Sequence, residues 1–151
     1  MKICFLAPAN NYHTKKWCEY FVNNGHTVDV ISFVDGQIDN VNVHFINCGV
    51  KTTDNDLKKI KYLFNKRKVK KIIKVINPDI INAHYATSYG MVAALCNIKK
   101  YILSVWGTDV YEFPRKSFVH KMYFKYLLKK SPYIFSTSKA MAEELKKYTQ
   151  I

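Results

Sequence analysis

Groups able to hydrogen-bond a ligand or exchange a proton with it recur just after the apolar runs of this chain. The run at 102–106 passes directly into Gly107, Thr108 and Asp109, with Trp106 as its last member. An ordinary strand exit needs only a turn-former such as Gly or Asp; here an aromatic ring, a hydroxyl and a carboxylate arrive together. Asn10, Asn11 and His13 follow the run at 3–7, His84 and Tyr85 follow the run at 80–83, and Ser136, Thr137 and Ser138 follow the run at 133–135. Taken singly, His13 can start a helix, His84 can satisfy a loop carbonyl and Asp109 can cap a turn. Gathered at one sheet edge, they make the wall of a pocket.

The elements that would gather them are legible. The runs at 3–7, 28–33, 43–46, 80–83, 102–106 and 133–135 have strand length. Most are continuously apolar rather than alternating, as in a sheet covered on both faces. Helical patterns lie between them: 14–24, closed by Gly25 as a left-handed stop; 88–98; 117–130; and 139–148, with Ser138 as its N-cap. Across 55–77 one stripe runs through Leu57, Ile60 and Phe64 and a second through Val69, Ile72, Ile73 and Ile76. On a single helix the two would sit more than a quarter turn apart, so two helical pieces are expected to meet near 65–68, with Pro78 ending the second. The alternation predicts one α/β domain over 1–151: a doubly wound, mainly parallel, Rossmann-like sheet of about six strands with helices on both faces. In such sheets ligands bind beyond the carboxyl ends of the strands, where the polar sets above fall.

Composition narrows the classes. With 151 residues and 48% hydrophobic content, the chain can bury the core of one ordinary domain. The opening apolar run is too short for a signal sequence. The longest charge-free stretch, 80–98, carries Asn82, His84, Tyr85 and Ser88, which a membrane span would avoid. Cys4, Cys18, Cys48 and Cys96 are scattered with no CxxC pair, so reduced, buried thiols and a cytoplasmic setting are expected, and no metal. The net charge of +13 comes almost wholly from lysine, Arg67 and Arg115 being the only arginines. That scarcity disfavours base readout in nucleic acid, where arginine makes the commonest specific contact. An anionic membrane surface or anionic substrate fits the charge better, as does simple compositional bias. Lys66, Arg67, Lys68, Lys70 and Lys71 cluster where the two helical pieces meet, and Lys121, Lys125 and Lys129 repeat on a helix with Phe118, Met122, Tyr123 and Tyr126. Mixed basic and aromatic helices of this kind can lie on anionic lipid, and the first cluster is the candidate membrane-facing set.

Motif absences exclude more. The segment after the first strand, "APANNYHTKKW", contains no glycine, so the dinucleotide fingerprint GxGxxG is missing, as is GxxxxGK[ST]. No GxSxG elbow occurs. A free-standing flavodoxin-like or receiver-like module would need an acidic cluster or a phosphate loop after strand one and has neither. A basic nucleic-acid- or anion-binding α/β module is the other alternative.

Several segments, in order, resemble a known family. "HTKKWCEYFVNNGHTVDVIS" (13–32) is similar to the first helix and second strand of family-four retaining glycosyltransferases of the GT-B fold, with the Gly25-His26 pair before the strand. "PDIINAHYATSYG" (78–90) resembles their fourth strand, ending in His84; "LSVWGTDVY" (103–111) resembles the WGTD form of the fifth, and "STSKAM" (136–141) the sixth-strand exit. The resemblance covers nearly the whole chain. It implies the amino-terminal, acceptor-binding half of a two-domain enzyme. The carboxyl-terminal half would hold most of the nucleotide-diphospho-sugar, which is a substrate, with no cofactor and no metal. Since the chain stops at Ile151 directly after a helix, a fragment of such a polypeptide is expected, folded but inactive alone.

The resemblance also implies site roles. Asp109 and His84 are the candidate catalytic residues, and Asn10, His13, Tyr85, Trp106, Gly107 and Thr108 the candidate substrate-binding residues. Trp106 is placed either to stack on a sugar ring or to be buried as a strand-end residue, and Asp109, just past a strand end, is expected to be exposed. Where some members have a histidine after strand five, this chain has Gly107, so no histidine role carries over there. The implied acceptor is a glycan or lipid-linked sugar, in bacterial surface-polysaccharide assembly. The enzyme would be cytoplasmic or peripheral on the inner face of the membrane, and would not bind nucleic acid.

Overall fold

A computed structural model describes residues 1–50, 58 and 60–149. Six parallel strands form one sheet: β1 (Lys2–Leu6), β2 (Thr27–Ser32), β3 (Asn42–Phe45), β4 (Ile80–His84), β5 (Ile102–Ser104) and β6 (Tyr133–Phe135), in the order β3-β2-β1-β4-β5-β6. The order reverses between β1 and β4, which places the crevice expected of a doubly wound sheet beyond Leu6 and His84. Each predicted strand is present. β1 is central and its Cys4, Phe5 and Leu6 are buried.

Seven α-helices occur among the described residues: α1 (Tyr12–Asn23), α2 (Lys61–Phe64), α3 (Lys66–Ile76), α4 (Met91–Leu95), α5 (Thr108–Tyr111), α6 (Phe118–Lys130) and α7 (Lys139–Lys146). Local chemistry sets their limits. Asn11 caps α1 by accepting the His13 amide at 2.9 Å. The same helix ends with Gly25 at φ +77°, its amide on the Val22 carbonyl and the His26 amide on that of Phe21, a Schellman stop. The break between α2 and α3 falls at Asn65, as the two stripes require. Asn77, left-handed at φ +49°, and Pro78 close α3. The start of the first helical piece (55–57 and 59) lies outside the described residues. Ser117 and Ser138 cap α6 and α7 through the His120 and Met141 amides. No helix among the described residues is long and apolar enough to cross a membrane.

Two segments differ from the sequence expectation. Instead of a helix over 88–98, a π-helical turn at Tyr85–Gly90 leads into α4. The turn ends in close packing: a Cβ on Gly90 would lie 2.5 Å from Leu103 Cδ1, so only glycine lets the turn approach the Leu103 side chain of β5. At the far end Asn97, at φ +51°, donates to the Ala94 carbonyl and terminates the helix early. β5 is shorter than the run at 102–106 because the Trp106 and Gly107 amides bond the Asp109 side chain instead of the sheet.

The sheet buries both faces unequally. Phe5, Ala7, Val28 and Val30 pack on α1 through Cys18, Trp17 and Phe21. The opposite face (Cys4, Leu6, Ile31, Ile81, Ala83, Leu103) carries the larger cluster, with contributions from every helix from α2 to α7. Behind β1 the loops are fixed by contact: a Cβ on Gly36 would lie 2.8 Å from the Asn10 nitrogen and 2.9 Å from the Ala9 carbonyl carbon. The chain after β2 therefore rests on the chain after β1 where the crevice opens.

Candidate functional site

The crevice is organised by Asp109. Its Oδ2 accepts the Ala86 amide at 2.8 Å, and its Oδ1 accepts the Trp106 and Gly107 amides at 3.0 and 2.9 Å. One carboxylate thus ties the turn after β4 to the exit of β5. This corrects the expectation of an exposed group, since Asp109 is only 2% exposed. Burial pushes its pKa above the usual carboxylate value, against the opposing pull of the amides. Gly107 sits at φ +121°, a conformation costly for any side chain, which lets the backbone double back over the carboxylate. Tyr85, at φ +62°, is a non-glycine residue held left-handed at the same crevice; such strain persists only where the surroundings enforce it.

His84 is buried at 1% exposure beneath aromatic rings. Phe5 lies 5.4 Å from it, Trp106 5.1 Å and Trp17 6.1 Å, all edge-on. Burial, with a smaller contribution from His13, lowers its pKa to about 3. It is therefore neutral at physiological pH, and its Nε2 has no hydrogen-bond partner among the described residues.

The sequence-predicted residues divide between two cavities. One, of about 300 Å³, is lined by Asn11, Tyr85, Thr108 and Asp109. The other, of about 620 Å³, is lined by His13, Trp17, Trp106 and Thr137. The Trp106 ring lies between the Tyr85 ring at 6.0 Å and the His13 ring at 4.8 Å. A single pocket was expected from the sequence; the rings after β4 and β5 partition it. His84 lines neither cavity, lying beneath them. Asn10 is exposed and also lines neither, its backbone being engaged against Gly36. Ser138 is occupied as a helix cap. Lys66, Arg67, Lys68, Lys70 and Lys71 are all exposed on α3, whose Val69 and Ile76 are buried.

Sequence reasoning missed the remaining walls of the smaller cavity. Glu112, Phe113 and Lys116 come from the segment after α5, Thr87, Ser88 and Tyr89 from the π-helical turn, and Tyr62 from α2. Thr87 and Ser88 lie directly after the fourth apolar run, where polar residues were being sought. Glu112 and Lys116 carry no comparable signal. Tyr89 accepts the Phe33 amide at 3.1 Å and so pins the exit of β2 to the turn. Among the described residues no cluster of three or more His, Cys, Asp or Glu could hold a metal ion. The cavity offers hydroxyl, amide and carboxylate groups beside aromatic faces, a lining suited to a neutral, hydroxyl-rich ligand.

Residues 2–138 match a family model described as glycosyl transferase 4-like. No curated protein matches the chain.

Proposed function

Because this chain belongs to the glycosyl transferase 4-like family, we propose that it is the acceptor-binding half of a retaining glycosyltransferase. In this reading the nucleotide-diphospho-sugar is held chiefly by a second α/β half, and the product enters bacterial surface polysaccharide. The observation that carries the reading is the cavity of about 300 Å³ at the strand ends, lined by Asn11, Tyr85, Thr108 and Asp109. Thr108, exposed at its wall, bonds an acceptor hydroxyl, and Tyr85 supplies an apolar face for the sugar ring.

The reaction forms a bond from an acceptor oxygen to the anomeric carbon as the bond to the nucleoside diphosphate breaks on the same face. The acceptor proton needs a destination. His84 is sealed beneath Trp17 and Trp106, and Asp109 already accepts three amides. Both observations favour the departing diphosphate as the proton acceptor, so we assign Asp109 and His84 to holding the site's shape.

Titration of this chain with methyl glycosides, followed by amide NMR shifts, tests the reading. Thr87, Thr108 and Glu112 should shift, and Thr108→Val should weaken binding several-fold, the cost of about 1 kcal/mol for a lost hydrogen bond. The same chain should transfer no sugar from a nucleotide-diphospho-sugar by itself. Tight nucleotide-sugar binding without glycoside binding would overturn the assignment to the acceptor side.

The exposed basic residues Lys66, Arg67, Lys68, Lys70 and Lys71 are taken as a contact with anionic membrane, each near-surface lysine contributing about 1 kcal/mol. Co-sedimentation with anionic but not neutral vesicles, weakening with salt, is the expected result. Equal partitioning onto both would remove the membrane contact from the proposal.

A further inference from the structure

The net charge of +13 draws acidic molecules toward this chain, so a site suited to neutral sugars needs a local means of turning them away. The polar cavity of about 300 Å³ has two carboxylates in its wall, Asp109 and Glu112, in opposite situations. Asp109 is buried, with both oxygens taken by amides. Glu112 is exposed, and its side chain has no hydrogen-bond or ionic partner among the described residues. Its backbone is nevertheless fixed. The Glu112 amide donates to the Thr108 carbonyl at 3.1 Å, the Arg115 amide donates to the Glu112 carbonyl at 3.1 Å, and Phe113 and Pro114 directly after it are buried. The neighbouring cations are committed elsewhere: the Arg115 guanidinium pairs with Glu144 of α7 at 2.9 Å, and the Lys116 ammonium lies over the Phe113 ring at 5.7 Å. Each sugar hydroxyl brings one donor, so the acceptors still open in the wall decide how a ring is held. Asn11 uses its side-chain oxygen on the His13 amide, and Tyr89 its hydroxyl on the Phe33 amide. Among the described residues of the wall, Glu112 is the charged acceptor left open.

We propose that Glu112 sets the charge selectivity of this cavity: its carboxylate accepts two neighbouring hydroxyls of a neutral sugar and repels a sugar that carries a carboxylate of its own. This rests on the acceptor-side reading above and names the residue that discriminates within it. Hydrogen bonds to an ionised acceptor are the stronger kind, and two hydroxyls side by side match the two oxygens of one carboxylate. In a cavity this small, a carboxylate on the bound ring is held close to Glu112, where like charges disfavour binding. Selectivity then comes from repulsion of the wrong sugar as well as attraction of the right one. The preference is the reverse of the one that the net charge of the chain would give.

The experiment pairs methyl glucoside, galactoside and mannoside with the corresponding methyl uronides in NMR titrations of the labelled chain at neutral pH. The neutral member of a pair should bind at least about tenfold more tightly, a difference of about 1.4 kcal/mol. Glu112→Gln keeps the side chain's shape and one acceptor oxygen but removes the charge, at an exposed position where the fold should be undisturbed. It should weaken the neutral glycoside several-fold and close the gap within the pair to less than about threefold. Added salt should narrow the gap in the parent, because screening weakens the repulsion, and leave the ratio in the variant unchanged. A merely structural role for Glu112 would not produce that difference. A uronide that binds the parent as tightly as its neutral partner, or a gap that survives Glu112→Gln, would overturn Glu112 as the discriminator and leave the acceptor-side reading standing. If neither neutral nor acidic glycosides shift Tyr85, Thr87 or Thr108, both are overturned.

Discussion

Asp109→Ala is expected to lower the melting temperature by roughly 10 °C, an effect on the fold rather than on chemistry alone. The substitution leaves the Ala86, Trp106 and Gly107 amides without their acceptor in a place where Asp109 is only 2% exposed. Each orphaned buried donor costs about 1–3 kcal/mol, and water admitted to the gap recovers part of that. A net loss of about 3–5 kcal/mol follows, and in a domain of this size each kcal/mol moves the midpoint by about 2–4 °C. Asp109→Asn should fall between. Its amide oxygen can still accept from Trp106 and Gly107, but its NH₂ group would face the Ala86 N–H. Asparagine also escapes the cost of burying a charge, which is what raises the Asp109 pKa. Thermal unfolding followed by circular dichroism decides the matter. A midpoint within a degree or two of the parent would mean that the three amides find water without loss, and the clamp would lose its structural importance.

His84→Phe should flatten the acid limb of the stability curve. Unfolded, the imidazole takes a proton near pH 6.5; folded, burial holds its pKa at about 3. Between those values the unfolded chain carries the extra proton, so the native state loses stability as pH falls, by up to about 1.4 kcal/mol per unit. Above about pH 6.5 the contribution is fully present. Phenylalanine cannot titrate, keeps edge-on packing against Phe5, Trp17 and Trp106, and removes a buried Nε2 that has no partner among the described residues. At neutral pH the variant should therefore be at least as stable as the parent. Between about pH 7 and pH 5 the parent should lose about 2 kcal/mol more than the variant. Urea unfolding at several pH values measures both, and parallel curves would show that His84 ionises freely in the fold.

Much of this architecture was legible because it is written in short-range chemistry. Continuous apolar runs identified all six strands, two misaligned stripes located the break at Asn65, and Ser138 and Gly25 marked helix ends that the structure bears out. The candidate site was legible in part. Which residues follow which strand is a matter of order, so Thr108, Tyr85 and His13 were found at the crevice. Asp109 was misjudged as exposed because its partners come from two separate segments, and no local pattern announces a side chain that accepts amides from both. The π-helical turn was invisible for a related reason. It packs Gly90 against Leu103, thirteen residues apart in sequence and on a different element, a contact that no local pattern announces. Apolar runs also reveal that a strand is buried without revealing what covers it, so the lopsided burial with α1 facing all other helices had no signal.

The ring cluster around His84 has an optical corollary. The chain has two tryptophans, and both belong to that cluster, Trp17 at 6.1 Å and Trp106 at 5.1 Å from the imidazole. Indole emission therefore originates wholly at one corner of the molecule, where α1 meets the exit of β5. A change in fluorescence reports this corner and says nothing of the helices across the sheet. Circular dichroism and fluorescence followed side by side would then act as two clocks, one for the whole domain and one for the floor of its crevice.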